Sequence, residues 1–153
     1  MIKVLFVCHG NICRSPMAEM VLKDMVRKKH LEDRFFIASA ATSREEIGNG
    51  IHPGTRQKLA EMGIPCEEHQ AVQLTKADYD AYDYLIGMDA ANVRNILRIT
   101  GGDVDGKIHL LLKYTGTGRD IADPWYTRNF DETYRDIQEG CIELLYQLVN
   151  KGK

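Results

Sequence analysis

The run Ile2-Lys3-Val4-Leu5-Phe6-Val7-Cys8-His9-Gly10-Asn11-Ile12-Cys13-Arg14-Ser15-Pro16 decides the fold. Its opening, residues 2–7, is a short apolar run that reads as a buried strand and is far too short to span a membrane. Beyond the loop, Pro16 suits the first position of a helix, Ser15 suits its cap, and the helix is expected to reach Lys28. Between strand and helix, Gly10 and Asn11 tolerate the left-handed conformations that a tight curl needs. A strand, a curled loop and a helix in that order let backbone N–H groups converge on an anion.

Outward from this unit the same alternation continues. A strand is predicted near Phe35–Ser39 and a helix near Pro53–Met62, where Gly63 supplies the stop and Pro65 blocks continuation. Thr75 with Asp78 resembles a helix cap and places a short helix before a strand at Tyr84–Met88. Asp89 is expected to cap a helix over Ala90–Ile99, ended by Gly101-Gly102, and Lys107–Leu111 reads as a fourth strand. In the last stretch Phe130, Tyr134, Ile137, Cys141, Leu144, Leu145 and Leu148 fall on one face at helical spacing. Strands separated by helices predict an α/β fold: a four-stranded, parallel, twisted sheet with helices on both faces, in a Rossmann-like three-layer arrangement. Two long loops remain, Ala41 to His52 and Tyr114 to Asn129.

At 153 residues the chain suits a single domain over residues 1–153, and its 44% hydrophobic and 27% charged composition is that of an ordinary globular protein. A net charge of -2 gives no field for holding nucleic acid or an anionic membrane. The cysteines at positions 8, 13, 66 and 141 have neither metal-site nor disulfide-framework spacing, so no metal, no cofactor and a reducing cytoplasmic setting are expected.

Cys8 and Arg14 stand at opposite ends of the curled loop. One can attack a phosphorus atom while the other clamps two of its oxygens. A loop at a helix N-terminus beside an arginine is also the setting in which a cysteine serves as nucleophile. Residues His9, Gly10, Asn11, Ile12, Cys13, Arg14 and Ser15 are the expected phosphate cradle, and Ser15 can donate a hydrogen bond to the sulfur as it leaves.

With CHGNICRSP in place, the chain resembles the low-molecular-weight protein tyrosine phosphatases, whose signature is C-x5-R-[ST]. The segments His69–Thr75, Tyr82–Asp89 and Asp123-Pro124-Trp125-Tyr126 share the likeness, which runs through nearly the whole chain. It implies hydrolysis of phosphotyrosine in proteins through a cysteinyl-phosphate on Cys8, by a monomer. Chemistry asks for an acid independently, because a phenolic oxygen leaves poorly unless protonated, and Asp123 is the candidate.

Further roles follow from the same resemblance. Asn11 would brace the cradle, Cys13 would be placed for a protective disulfide with Cys8, with a buried inert thiol as its other reading, and Ile12 favours phosphotyrosine over phosphoarginine. Trp125 and Tyr126 would contact the substrate ring. The rim loop Ser43-Arg44-Glu45-Glu46-Ile47 lies where better-known animal members carry an aromatic wall, and Ile47 is the expected contact there. His69 reads as a cap or surface group, with support of the cradle edge as its other reading. The competing activities are phosphoarginine hydrolysis, arsenate reduction and simple phosphate binding. Arsenate reduction needs two further cysteines close together, whereas Cys66 and Cys141 lie far apart in the chain.

Overall fold

The computed structural model describes residues 1–151. Strand β1 (Ile2–Cys8) pairs in parallel with β2 (Phe35–Ala41) on one side and with β3 (Tyr84–Gly87) on the other. β4 (Ile108–Leu110) adds to β3, also in parallel, giving the order β2-β1-β3-β4. The central strand is buried on both faces, which is why it reads as an uninterrupted apolar run rather than an alternation. Val4, Phe6 and Cys8 join the core beneath α1 (Arg14–Lys28) and α6 (Phe130–Lys151). Leu5 and Val7 face the other layer, with Tyr79 of α3 (Asp78–Ala81) and Ile96 of α4 (Ala90–Thr100). The expected sheet with helices on both faces is therefore what forms. Helix α2 (Pro53–Glu61) packs on α1 and α6. No helix among the described residues is long and apolar enough to cross a membrane.

Several boundaries differ from expectation for local reasons. Helix α1 starts at Arg14, so Cys13 takes the cap position and Ser15 is inside the first turn. The Ser15 hydroxyl does not cap the helix; it is drawn into side-chain bonds within the loop. Of the two residues expected to curl the loop, Asn11 alone is left-handed, with φ 59°. β2 runs on to Ala41 because Ala41 lies in register with Cys8 at the end of β1. Asp89 caps α4 as expected, in a reciprocal box with Asn92, and Gly101 ends that helix at φ 85°. Thr75 does not cap α3; instead its N–H donates to the Asp78 carboxylate at 2.8 Å. The fourth strand stops at Leu110, where a 3-10 turn over Leu111–Thr115 begins. The stretch before α6 is not all loop, since Asp123 caps a one-turn helix, α5 (Pro124–Thr127).

Candidate active site

The cradle is built by turning its carbonyls outward. Cys8 O accepts from Thr42 N–H at 2.9 Å, His9 O from Ser43 N–H at 3.0 Å and Ile12 O from His52 N–H at 2.9 Å. Cys13 O accepts from Met17 N–H at 3.2 Å and from the Thr55 hydroxyl at 3.3 Å. In a trans peptide the N–H points opposite to the carbonyl, so the N–H groups of the following residues, His9, Gly10, Cys13 and Arg14, face the loop interior. That is an anion cradle at the N-terminus of a fifteen-residue helix.

At its floor, Cys8 Sγ lies 3.0 Å from Ser15 Oγ and accepts from Asn11 N–H at 3.3 Å. The Asn11 amide donates to Ser15 Oγ at 2.8 Å, while its own oxygen accepts from Val72 N–H at 3.2 Å and from His69 Nε2 at 2.9 Å. Asn11 and Ser15 are both wholly buried. They lie beneath the cleft as braces, whereas His9, Gly10, Ile12 and Cys13 line it.

Arg14 is 2% exposed and is gripped on one nitrogen, NH1, which donates to Asp89 Oδ2 at 2.8 Å and to Ile121 O at 2.9 Å. Its other terminal nitrogen, NH2, reaches Asp123 Oδ2 at 3.5 Å. Burial works against the arginine's charge, but Cys8, Asp89 and Asp123 more than offset it and hold the guanidinium above its ordinary pKa. The fork is thus oriented in advance for a bidentate oxyanion. Asp123 also accepts from Trp125 N–H at 3.0 Å through Oδ1. Its loop is pinned to the sheet, with Ile121 N–H donating to Met88 O at 2.9 Å and Thr133 donating to Ala122 O at 3.0 Å.

Cys8, Arg14, Asp123, Trp125 and Tyr126 meet around one cleft. Ile47 does not join them. It stands 49% exposed, while Glu45 and Glu46 take the wall. The cause is the turn that carries them: Glu45 bonds His9 across the cleft mouth at 2.9 Å, and Glu46 packs over Gly10 and accepts from Asn49 Nδ2 at 2.6 Å. Cys13 is a thiol whose pKa is pushed up to about 12, first by burial and then by its neighbours Cys8 and Asp123. All four cysteines are free, and Cys141 is buried in the core.

Some functional groups were not legible as such. Asp89 reads as a helix cap, yet one oxygen caps α4 while the other holds Arg14. Glu19, 5% exposed, accepts from Ser39 Oγ at 2.6 Å and from Lys23 Nζ at 2.6 Å, and its Oε1 lies 3.9 Å from Nδ1 of His69, the residue that bonds Asn11. A glutamate on the apolar face of α1 was the available signal for it.

A sheet that delivers a cysteine cradle and a pinned arginine to its carboxyl edge defines a class, the α/β proteins built to hold a phosphoryl group. The family model described as low molecular weight phosphotyrosine protein phosphatase matches residues 3–153, and the chain belongs to that family. Membership makes it a protein-tyrosine phosphatase, a hydrolase of phosphoric monoesters. Among relatives, the low molecular weight protein-tyrosine-phosphatase YfkJ of Bacillus subtilis is 42% identical over 147 residues, covering 95% of this chain and 94% of that protein. The crystal structure of YfkJ superposes with a TM-score of 0.96 at 40% identity, covering 100% of this chain and 98% of that one. The Streptococcus pyogenes enzyme SP-PTP gives a TM-score of 0.87 at 43% identity, covering 97% of this chain and 93% of that one. A Drosophila arginine phosphatase, DARP, gives 0.87 at 30% identity, covering 96% of this chain and 98% of that one.

Proposed function

We propose that the chain, as one catalytic domain, hydrolyses phosphotyrosine in proteins through a cysteinyl-phosphate on Cys8. The observation that carries this reading is the grip on Arg14, whose guanidinium spans from Asp89 to Asp123 across a cradle floored by Cys8. In the first step Cys8 Sγ attacks phosphorus, the bond from phosphorus to the tyrosyl oxygen breaks, and Asp123 passes its proton to that oxygen. Arg14 and the inward N–H groups take up the charge on the equatorial oxygens. In the second step Asp123 removes a proton from water as the water oxygen bonds to phosphorus. The sulfur leaves toward the Ser15 hydroxyl and Asn11 N–H. Trp125 and Tyr126, exposed by 50% and 80%, offer an aromatic wall to the substrate ring. We place the protein, as a monomer, in the cytoplasm, where free thiols persist, acting on phosphotyrosine proteins with inorganic phosphate and similar oxyanions as further ligands.

The test is turnover of phosphotyrosine and phosphoarginine peptides by wild type and Cys8→Ser. The expected result is a preference for phosphotyrosine, a covalent phosphoenzyme trapped by acid quench, and loss of both in Cys8→Ser. Substantial turnover by folded Cys8→Ser defeats the covalent route, and a clear preference for phosphoarginine defeats the substrate assignment.

A further inference from the structure

Helix α5 is one turn long, and its two aromatics are largely solvent-exposed. A turn of that length does not hold itself in place. The general acid caps it, so whatever fixes α5 fixes the proton donor.

Ile121 and Ala122 pin the segment that leads into Asp123, and Arg14 reaches its carboxylate; on the α5 side of Asp123 the aromatic contact is made by His52. Its N–H donates to Ile12 O in the cradle at 2.9 Å, and its Nδ1 accepts from Gly54 N–H at 2.9 Å, capping α2. The first bond ties the residue to the cradle and the second ties its ring to the start of α2. One side of the ring meets Trp125 edge-on, with centroids 5.7 Å apart and planes at 81°, and the other stacks on Phe130 at 5.4 Å and 26°. Phe130 can sit there because position 54 is glycine: a Cβ on Gly54 would lie 2.3 Å from Phe130 Cζ. Lys58 on the same helix donates to Asp131 at 2.6 Å, holding the start of α6 against α2. Trp125, the residue that His52 touches, is the one whose N–H donates to Asp123 Oδ1 at 3.0 Å. A continuous chain of contacts therefore runs from the cradle through the imidazole to the acid.

We propose that His52 is a positioning residue for proton transfer: its ring, anchored to the cradle, holds the turn that Asp123 caps at the place where the leaving oxygen needs its proton. The inference rests on Asp123 being the acid. It assigns a catalytic consequence to the pair of aromatic contacts, separate from the stability of the α2 cap.

The experiment compares kcat/KM for phenyl phosphate, whose leaving group needs a proton, with that for dinitrophenyl phosphate, whose leaving group does not. The ratio of the two is independent of the fraction of enzyme folded. His52→Asn keeps an acceptor for Gly54 N–H and removes the ring; His52→Phe keeps a ring and removes the acceptor. The ratio should fall by about a hundredfold or more in Asp123→Asn, about tenfold in His52→Asn, and less than about twofold in His52→Phe. An unchanged ratio in His52→Asn, with the fall present in Asp123→Asn, overturns the proposal and leaves the acid in place. An unchanged ratio in Asp123→Asn removes the acid assignment and the proposal with it.

Discussion

Asn11 and His69 lie 58 positions apart in the chain and meet at 2.9 Å, with the imidazole Nε2 donating to the amide oxygen. That oxygen serves Val72 N–H as well, and the amide nitrogen reaches Ser15, which in turn meets Cys8. The Cys8 thiol is therefore located through a buried relay whose far end is on another loop. Such a network is worth more satisfied than the sum of its parts, and costly when half satisfied.

Asn11 contributes both this relay and its left-handed backbone, and the two separate by substitution. Asn11→Gly keeps the backbone and loses the relay, whereas Asn11→Ala loses both. Both variants should lose about tenfold or more in kcat/KM through the misplaced cradle. The alanine variant should also be less stable than the glycine variant by about 1 kcal/mol, read from urea unfolding.

His69 gives the fold a dependence on acidity. Burial is the leading cause that lowers its pKa, with Lys23 acting the same way, against opposing contributions from Glu19 and the Asn11 bond. An unfolded histidine takes up its proton near about pH 6.5, so below that value the unfolded chain binds a proton that the folded one refuses. The contribution is whole above that pH and is lost as pH falls through the lower, folded value. The stability difference between wild type and His69→Gln should shrink over that window. A difference that grows with acidity would mean that the fold favours the charged ring.

The thiols should differ in reactivity. Burial pushes Cys141 up, and Cys13 is raised to about 12, so neither is a thiolate near neutrality. Iodoacetamide near about pH 8 should label Cys8 ahead of both, with inorganic phosphate slowing the label and the loss of activity together. Peptide mapping by mass spectrometry reads the order, and early labelling of Cys13 would contradict the buried site described for it.

Gly140 lies inside α6, where alanine is ordinarily better by about 1 kcal/mol. Here a Cβ would fall 2.6 Å from Leu111 Cγ, at the packing of α6 on the turn that follows β4. Gly140→Ala should therefore destabilise by about 1–3 kcal/mol, the cost of overpacking, with the active-site kinetics little changed. A rise in the urea midpoint would show that Leu111 yields to the added methyl.

Much of this was legible because it is local. The apolar run of β1, the cradle residues and the start of α1 are contiguous, and their spacing carries the phosphate site. Asp89 illustrates the limit: its cap to Asn92 spans three residues and reads from the sequence, while its bond to Arg14 spans 75 and does not. Ile47 shows the same in reverse, since a rim loop's composition does not tell which of its side chains a turn directs inward. His52 reads only as a residue before Pro53, although the fold places it between Ile12 of the cradle and Trp125 beside Asp123.

By itself the sequence determined the alternation of strands and helices and the loop with Cys8 and Arg14 at its ends, and, through the chemistry of a phenolic leaving group, the need for an acid, for which Asp123 is the candidate. What the tertiary structure alone decided is which distant groups surround that loop. The order β2-β1-β3-β4 places the cradle strand between two neighbours, so that Thr42, Asp89 and Ile121 arrive at its carboxyl edge from separate parts of the chain. Periodicity and capping are set by residues a few positions apart, whereas these meetings are set by how whole strands and helices bury their faces against one another.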